Sequence, residues 1–215
     1  MNEDKAKISV QIWRGILKEF DTKMEASCLR RDAYLSKILR FELEKLDEEI
    51  TQPNSPEAYK YVSNQLGILD RKLITLTIDT DLVEKLNDIC TRKMIVRDAF
   101  FNRLFFMLVA SNARVDRLFA VPEGWRTEIW AEHRNDFFWN VFNPLNEVMN
   151  PLVPIRYGIE EYQLDKFYCT VFPSLNKTNL EGLNTYFPDE CIPGSEARKA
   201  SDKTLDELLG ILDII

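Results

Sequence analysis

Side chains able to do covalent chemistry are few in this chain, and their spacing is poor. The single histidine, His133, has no partner near it in sequence, and Cys28, Cys90, Cys169 and Cys191 form no Cys-x-x-Cys pair. A His133 dyad with Cys169 or Cys191 has nothing to bring it together, and a zinc site needs more ligands than these. With 7 glycines in 215 residues there is no glycine-rich phosphate loop. Catalysis, metals and cofactors are therefore not expected. The informative spacing is a different one. Lys7, Ser9 and Gln11 recur at every second position, as do Thr75 and Thr77. On a strand, such residues share one face, and the chemistry they offer is hydrogen bonding.

The elements that must position them follow from the intervening residues. Ile8, Val10 and Ile12 alternate with Lys7, Ser9, Gln11 and Trp13, which predicts a half-buried strand over 7–13. Ile74, Leu76 and Ile78 take the same inward places, with Leu73, Thr75 and Thr77 outward. Each strand is followed by a helical stripe: Ile16, Leu17, Phe20 and Met24 in one case, Leu82, Val83, Leu86 and Ile89 in the other. A second helix then begins at Arg31-Asp32-Ala33-Tyr34 and again at Arg97-Asp98-Ala99-Phe100, 66 residues later. Residues 7–43 and 73–109 thus align without a gap and read as two copies of one unit. The helix 30–47 is expected to bury Ala33, Tyr34, Ile38, Phe41 and Leu46; the helix 96–111 is apolar on several sides and must be covered by more than its repeat partner.

Between the copies, Ser55 and Pro56 mark the start of a short helix that Gly67 should end. Asp79 and Asp81 are candidate caps for the helix after the second strand, Asp81 with Glu84 at capping-box spacing. Beyond residue 111 the signals weaken. A helix is expected over 126–141 and a strand over Phe167–Phe172. A final helix over 201–215, capped by Ser201 or Asp202, would carry a stripe of Leu205, Leu208, Leu209, Leu212 and Ile215.

Charge separates the two halves. Residues 1–110 hold 18 basic and 18 acidic side chains, whereas 111–215 hold 10 and 17, so the net −7 lies wholly in the second half. No run of about 18 apolar residues is present, and the N-terminus lacks an apolar signal core, so neither membrane nor secretion is expected. Unpaired cysteines fit a cytoplasmic protein.

A strand, a helix, a turn and a helix within some 40 residues resemble the ribbon-helix-helix superfamily of DNA-binding regulators, which includes the Arc and MetJ repressors. The likeness rests on strands 7–13 and 73–79, the helix after each, and the two Arg-Asp-Ala-aromatic tetrapeptides. It implies a mostly α chain with a short two-stranded antiparallel ribbon: a tandem ribbon-helix-helix pseudo-dimer over 1–111, with copies 7–47 and 73–111 and linker 48–72. A C-terminal α+β or mostly α region over 112–215 would follow. It also implies double-stranded DNA as partner, with Lys7, Ser9, Gln11, Thr75 and Thr77 meeting base edges in the major groove. Arg30, Arg31, Arg92, Lys93 and Arg97 would lie near phosphates, beside helix N-termini that favour anions. The role would be that of a bacterial-type transcriptional regulator or a plasmid or mobile-element accessory protein. Leu73 departs from the family pattern, standing where a polar reader is usual, and Trp13 shares the side of Gln11. Two further readings stay open. Arg31 and Arg97 can simply neutralise nearby carboxylates. The ribbon can also serve only as a scaffold in a protein-interaction module of antitoxin-like or accessory type. In either case the acidic C-terminal region could bind a protein partner or a second copy of the chain.

Overall fold

A computed structural model describes residues 4–119, 152, 155–156, 159–160, 166–175 and 178–212. The described chain is mostly helical, with a short two-stranded antiparallel sheet near its start. Strand β1 (Lys5–Trp13) leads into α1 (Arg14–Ala26) and α2 (Arg31–Glu49). Helix α3 (Pro56–Ile68) connects to β2 (Arg71–Asp79), which leads into α4 (Thr80–Arg92) and α5 (Arg97–Val109). A short α6 (Asn112–Leu118) follows. Further on come the two-residue strands β3 (Ser174–Leu175) and β4 (Thr178–Asn179), and finally α7 (Glu196–Leu212). The helix expected over 126–141 lies outside the described residues.

The two strands pair with Ser9 directly opposite Thr75. These residues are also equivalent under the 66-residue offset, so the pairing is symmetric about them. The alternation has its expected cause: Ile8, Val10, Ile12, Ile74, Leu76 and Ile78 are buried against the helices. The helices interlock across the copies. α1 packs on α5 and α4 on α2, so each copy's first helix meets the other copy's second. The turns between the helices also match. Cys28 (φ 54°) and Met94 (φ 51°), 66 apart, take the left-handed conformation that ends a helix. The following N–H groups, Leu29 to Met24 O and Ile95 to Cys90 O, close both turns at 2.9 Å.

Several boundaries depart from expectation. Both strands are longer, adding Lys5 and Arg71 to the outward face. Ser55 caps α3 as expected, its Oγ accepting from Ala58 N at 2.9 Å, but Gly67 lies inside the helix. Asp81 caps nothing: α4 opens at Thr80, and the carboxylate at the cap position, Asp79, turns to Lys5 and Arg40 instead. On α2, Phe41 is 56% exposed and Ala33 is exposed. Tyr34, Ile38 and Leu46 are buried as expected, and Leu35, Leu39, Glu42 and Leu43 complete the stripe. Residues 167–172 form a turn and coil, not a strand. The last helix begins at Glu196, where Ser195 Oγ accepts from Arg198 N at 3.0 Å; Ser201 and Asp202 lie within it.

One apolar cluster contains residues on both sides of position 111. It joins Phe100, Phe105 and Leu108 to Phe119, Phe167, Tyr168 and Phe172. The apolar α5 is thus covered from the far side by the C-terminal segment, as its composition requires. Arg103 on α5 is wholly buried there. Its guanidinium donates to the carbonyls of Phe167 and Thr170 and to Asn184 Oδ1, and it stacks on the Phe172 ring at 3.9 Å. Burial lowers its pKa to about 10, so it stays charged at neutral pH. Glu42 and Glu49 hold Arg156, while Tyr168 donates its hydroxyl to Glu42 at 2.6 Å and its N–H to Glu49 at 2.7 Å. Burial beside Glu42 pushes the Tyr168 hydroxyl well above its ordinary range.

The C-terminal segment also meets α3, where Gly182 touches the helix backbone. A Cβ there would stand 2.5 Å from Leu66 N. Gly182→Ala is therefore expected to lower stability by about 1–3 kcal/mol, since backbone must shift to admit it. A urea midpoint within error of the wild type would show that the approach is looser.

Candidate nucleic-acid interface

Odd-numbered residues of both strands form one outward face. Its rows, in register, are Lys5 with Asp79, Lys7 with Thr77, Ser9 with Thr75, Gln11 with Leu73, and Trp13 with Arg71. Lys7, Ser9, Gln11, Leu73 and Thr75 are exposed, and Thr77 is half-buried. The five residues expected to meet base edges therefore share one surface over its three central rows, whereas Asp79 in an end row is buried. Lys5 and Asp79 pair with each other and Arg40 closes on the same carboxylate, so Lys7 and Arg71 are the cations left along the rows. Arg71 went unnoticed in the sequence, although the alternation continues back through it from Leu73.

A two-stranded sheet has two edges of unpaired backbone groups, and the paired tetrapeptides close both. Arg31 Nη2 donates to Thr75 O at 3.3 Å, and Asp32 Oδ2 accepts from Thr77 N at 2.9 Å. The equivalent Arg97 Nη2 donates to Ser9 O at 3.1 Å, and Asp98 accepts from the Gln11 N–H. Burial pushes the Asp98 carboxyl above the usual carboxylate range, opposed by that N–H and by Arg97 and Arg71. Each Arg-Asp pair thus bonds the strand of the other copy. Asn102 extends the closure on one side only, accepting from Trp13 N and donating to Gln11 O, both at 2.8 Å. Its counterpart is Ser36, whose buried Oγ has no partner among the described residues.

The closure also sets the N-termini of α2 and α5 against opposite edges of the sheet. The residues at the cap positions, Arg30 and Val96, make no side-chain cap bond, and each first turn carries a carboxylate, Asp32 or Asp98, beside its N–H groups.

The five residues expected near phosphates are placed unequally. Arg30 is exposed at the cap position of α2. Arg31 and Arg97 flank the sheet but bond its edges; Arg31 also pairs with Asp32 at 3.1 Å and lies 3.8 Å from Asp21. Arg92 binds Asp88 and Asp47, and Lys93, 11% exposed, binds Asp47 and the Ile50 carbonyl. Those last two fasten the end of α2 to the α4–α5 turn, and Lys93 holds the Asp47 carboxyl below its usual range. Arg31→Ala and Arg97→Ala are each expected to lower stability by about 1 kcal/mol, the worth of one hydrogen bond. The urea midpoint measures the loss, and a midpoint within error of the wild type would show that these edge bonds are dispensable.

This arrangement offers hydrogen bonding along a slender, uncovered sheet rather than acid–base chemistry. Burial raises the Cys90 thiol to about 12, which keeps it protonated and unreactive. Among the described residues, no helix is long and apolar enough to cross a membrane. Comparison of the chain with protein-family models, with curated proteins and with solved structures returns no match, so its reading rests on its own geometry.

Proposed function

We propose that residues 1–111 form a tandem ribbon-helix-helix unit that binds double-stranded DNA sequence-specifically. The β1–β2 sheet would enter the major groove, which is about 12 Å wide and admits a two-stranded ribbon. The observation that carries this reading is the outward face: Lys7, Ser9, Gln11, Thr75 and Thr77 in register over its three central rows, four of them exposed and Thr77 half-buried, between two helix N-termini. Lys7 suits guanine O6 and N7, Gln11 suits adenine N6 and N7, and Ser9, Thr75 and Thr77 serve as either donor or acceptor. The backbone N–H groups of α2 and α5, with Arg30, would meet phosphates on either side. The cellular role would be that of a transcriptional regulator or a plasmid or mobile-element accessory protein.

The test is selection of bound sequences from random duplex DNA by the full chain, followed by mobility shift across a salt series. An enriched sequence, bound with affinity that falls steeply with salt, is the expected result. No binding at low salt, or binding without enrichment, overturns the proposal.

A second reading keeps the sheet only as a scaffold for a protein-interaction module. What favours it is that Arg31, Arg92, Lys93 and Arg97 all bond within the chain, in a half whose charge is balanced. The same experiment separates the two readings, since a scaffold selects no DNA.

A further inference from the structure

The outward face carries one large apolar side chain in its central rows, Leu73, which is 64% exposed. Around it stand hydrogen-bonding groups: Gln11 directly across, Thr75 and Arg71 along its own strand. The symmetry of the sheet makes this position distinctive. The axis through Ser9 and Thr75 carries Gln11 onto Thr77, polar onto polar, but Lys7 onto Leu73. One half of the face therefore presents Lys7 where the other presents an apolar spot ringed by polar groups, Arg71 among them.

A surface complementary to that spot must offer an apolar group set among acceptors and donors. The major-groove edge of an A·T pair does so. Thymine's 5-methyl lies beside its O4, and the paired adenine presents N6 and N7. Gln11 and Leu73, opposed at the short spacing of a cross-strand pair, would meet the adenine edge and a neighbouring thymine methyl together. Lys7 at the other half would meet guanine. We propose, resting on the DNA-binding reading above, that Leu73 is a specificity-determining residue that reads a thymine 5-methyl group and gives the bound site a direction.

The test uses the full chain and its selected duplex, with single thymines replaced in turn by deoxyuridine, which removes only the methyl. One thymine is expected to matter: its replacement should weaken wild-type binding about fourfold, the worth of one buried methyl. The same replacement should leave Leu73→Ala unaffected. Because Leu73 is exposed, the variant should keep the wild-type melting temperature. Leu73→Lys restores the equivalence with Lys7 and should select a more symmetric site, with guanine in both halves. A chain that selects DNA, yet shows no deoxyuridine effect or the same effect in Leu73→Ala, overturns the role of Leu73 and leaves the DNA-binding reading intact. A symmetric site selected by the wild type overturns the proposed direction. A chain that selects no DNA overturns both.

Discussion

Replacing Arg103 with alanine is expected to destabilise the chain by at least about 3 kcal/mol. The guanidinium is buried among aromatic rings and donates to two carbonyls and the Asn184 side chain. Truncation takes the donor from the two carbonyls, while Asn184 Oδ1 keeps the Phe172 N–H, and each unsatisfied carbonyl costs about 1–3 kcal/mol. It also opens a cavity beneath Phe172, to which the surrounding residues adapt only in part. Arg103→Met should recover part of the loss, because it refills the volume and removes a buried charge, though the two carbonyls remain unpaired. The measurement is the urea midpoint at constant m-value. A loss below about 1 kcal/mol for the alanine variant would mean that the C-terminal segment finds other donors for these groups.

The second large effect falls on the proposed DNA recognition. Lys7→Ala with Gln11→Ala is expected to weaken binding to the selected site by about 30-fold or more, since each well-formed base contact contributes about 1–3 kcal/mol. Both side chains are exposed on the sheet, and the backbone bonds made by Gln11 to Asp98 and Asn102 do not depend on its side chain. Folding should therefore be unchanged, and binding to a scrambled duplex should fall much less. Equal losses on both duplexes would move these residues from base edges to phosphates, because phosphate contacts carry no sequence information.

The strands and their inward faces were legible in the sequence because alternation of apolar residues is a local signal, and Ile8 through Ile12 obey it without exception. The role of the tetrapeptides was not. Arg31 and Asp32 bond Thr75 and Thr77, residues far away in the chain, and nothing in a four-residue motif states its reach. Helix α2 was misjudged for a related reason. Glu42 is buried because Arg156 and Tyr168 come to it from the C-terminal half, and this rolls the neighbouring Phe41 outward. An apolar-periodicity argument cannot see a buried carboxylate. The strand expected over 167–172 failed because Phe167 and Tyr168 are both buried in succession. Its backbone is satisfied by Arg103, Glu49 and Asn184 side chains rather than by another strand. The outward face of the sheet was legible; the extra row ended by Arg71 was lost to a strand boundary set two residues too late.

The crossing of the tetrapeptides has a consequence for assembly. Each Arg-Asp pair closes the strand edge of the other copy, so neither copy has a complete sheet without its mate. Were the copies on separate chains, that mutual completion would depend on meeting, and stability would fall on dilution. Joined by residues 50–70, they meet as an intramolecular event, at an effective concentration set by the connection rather than by expression level. The unit therefore holds its fold at copy numbers where two separate halves would come apart.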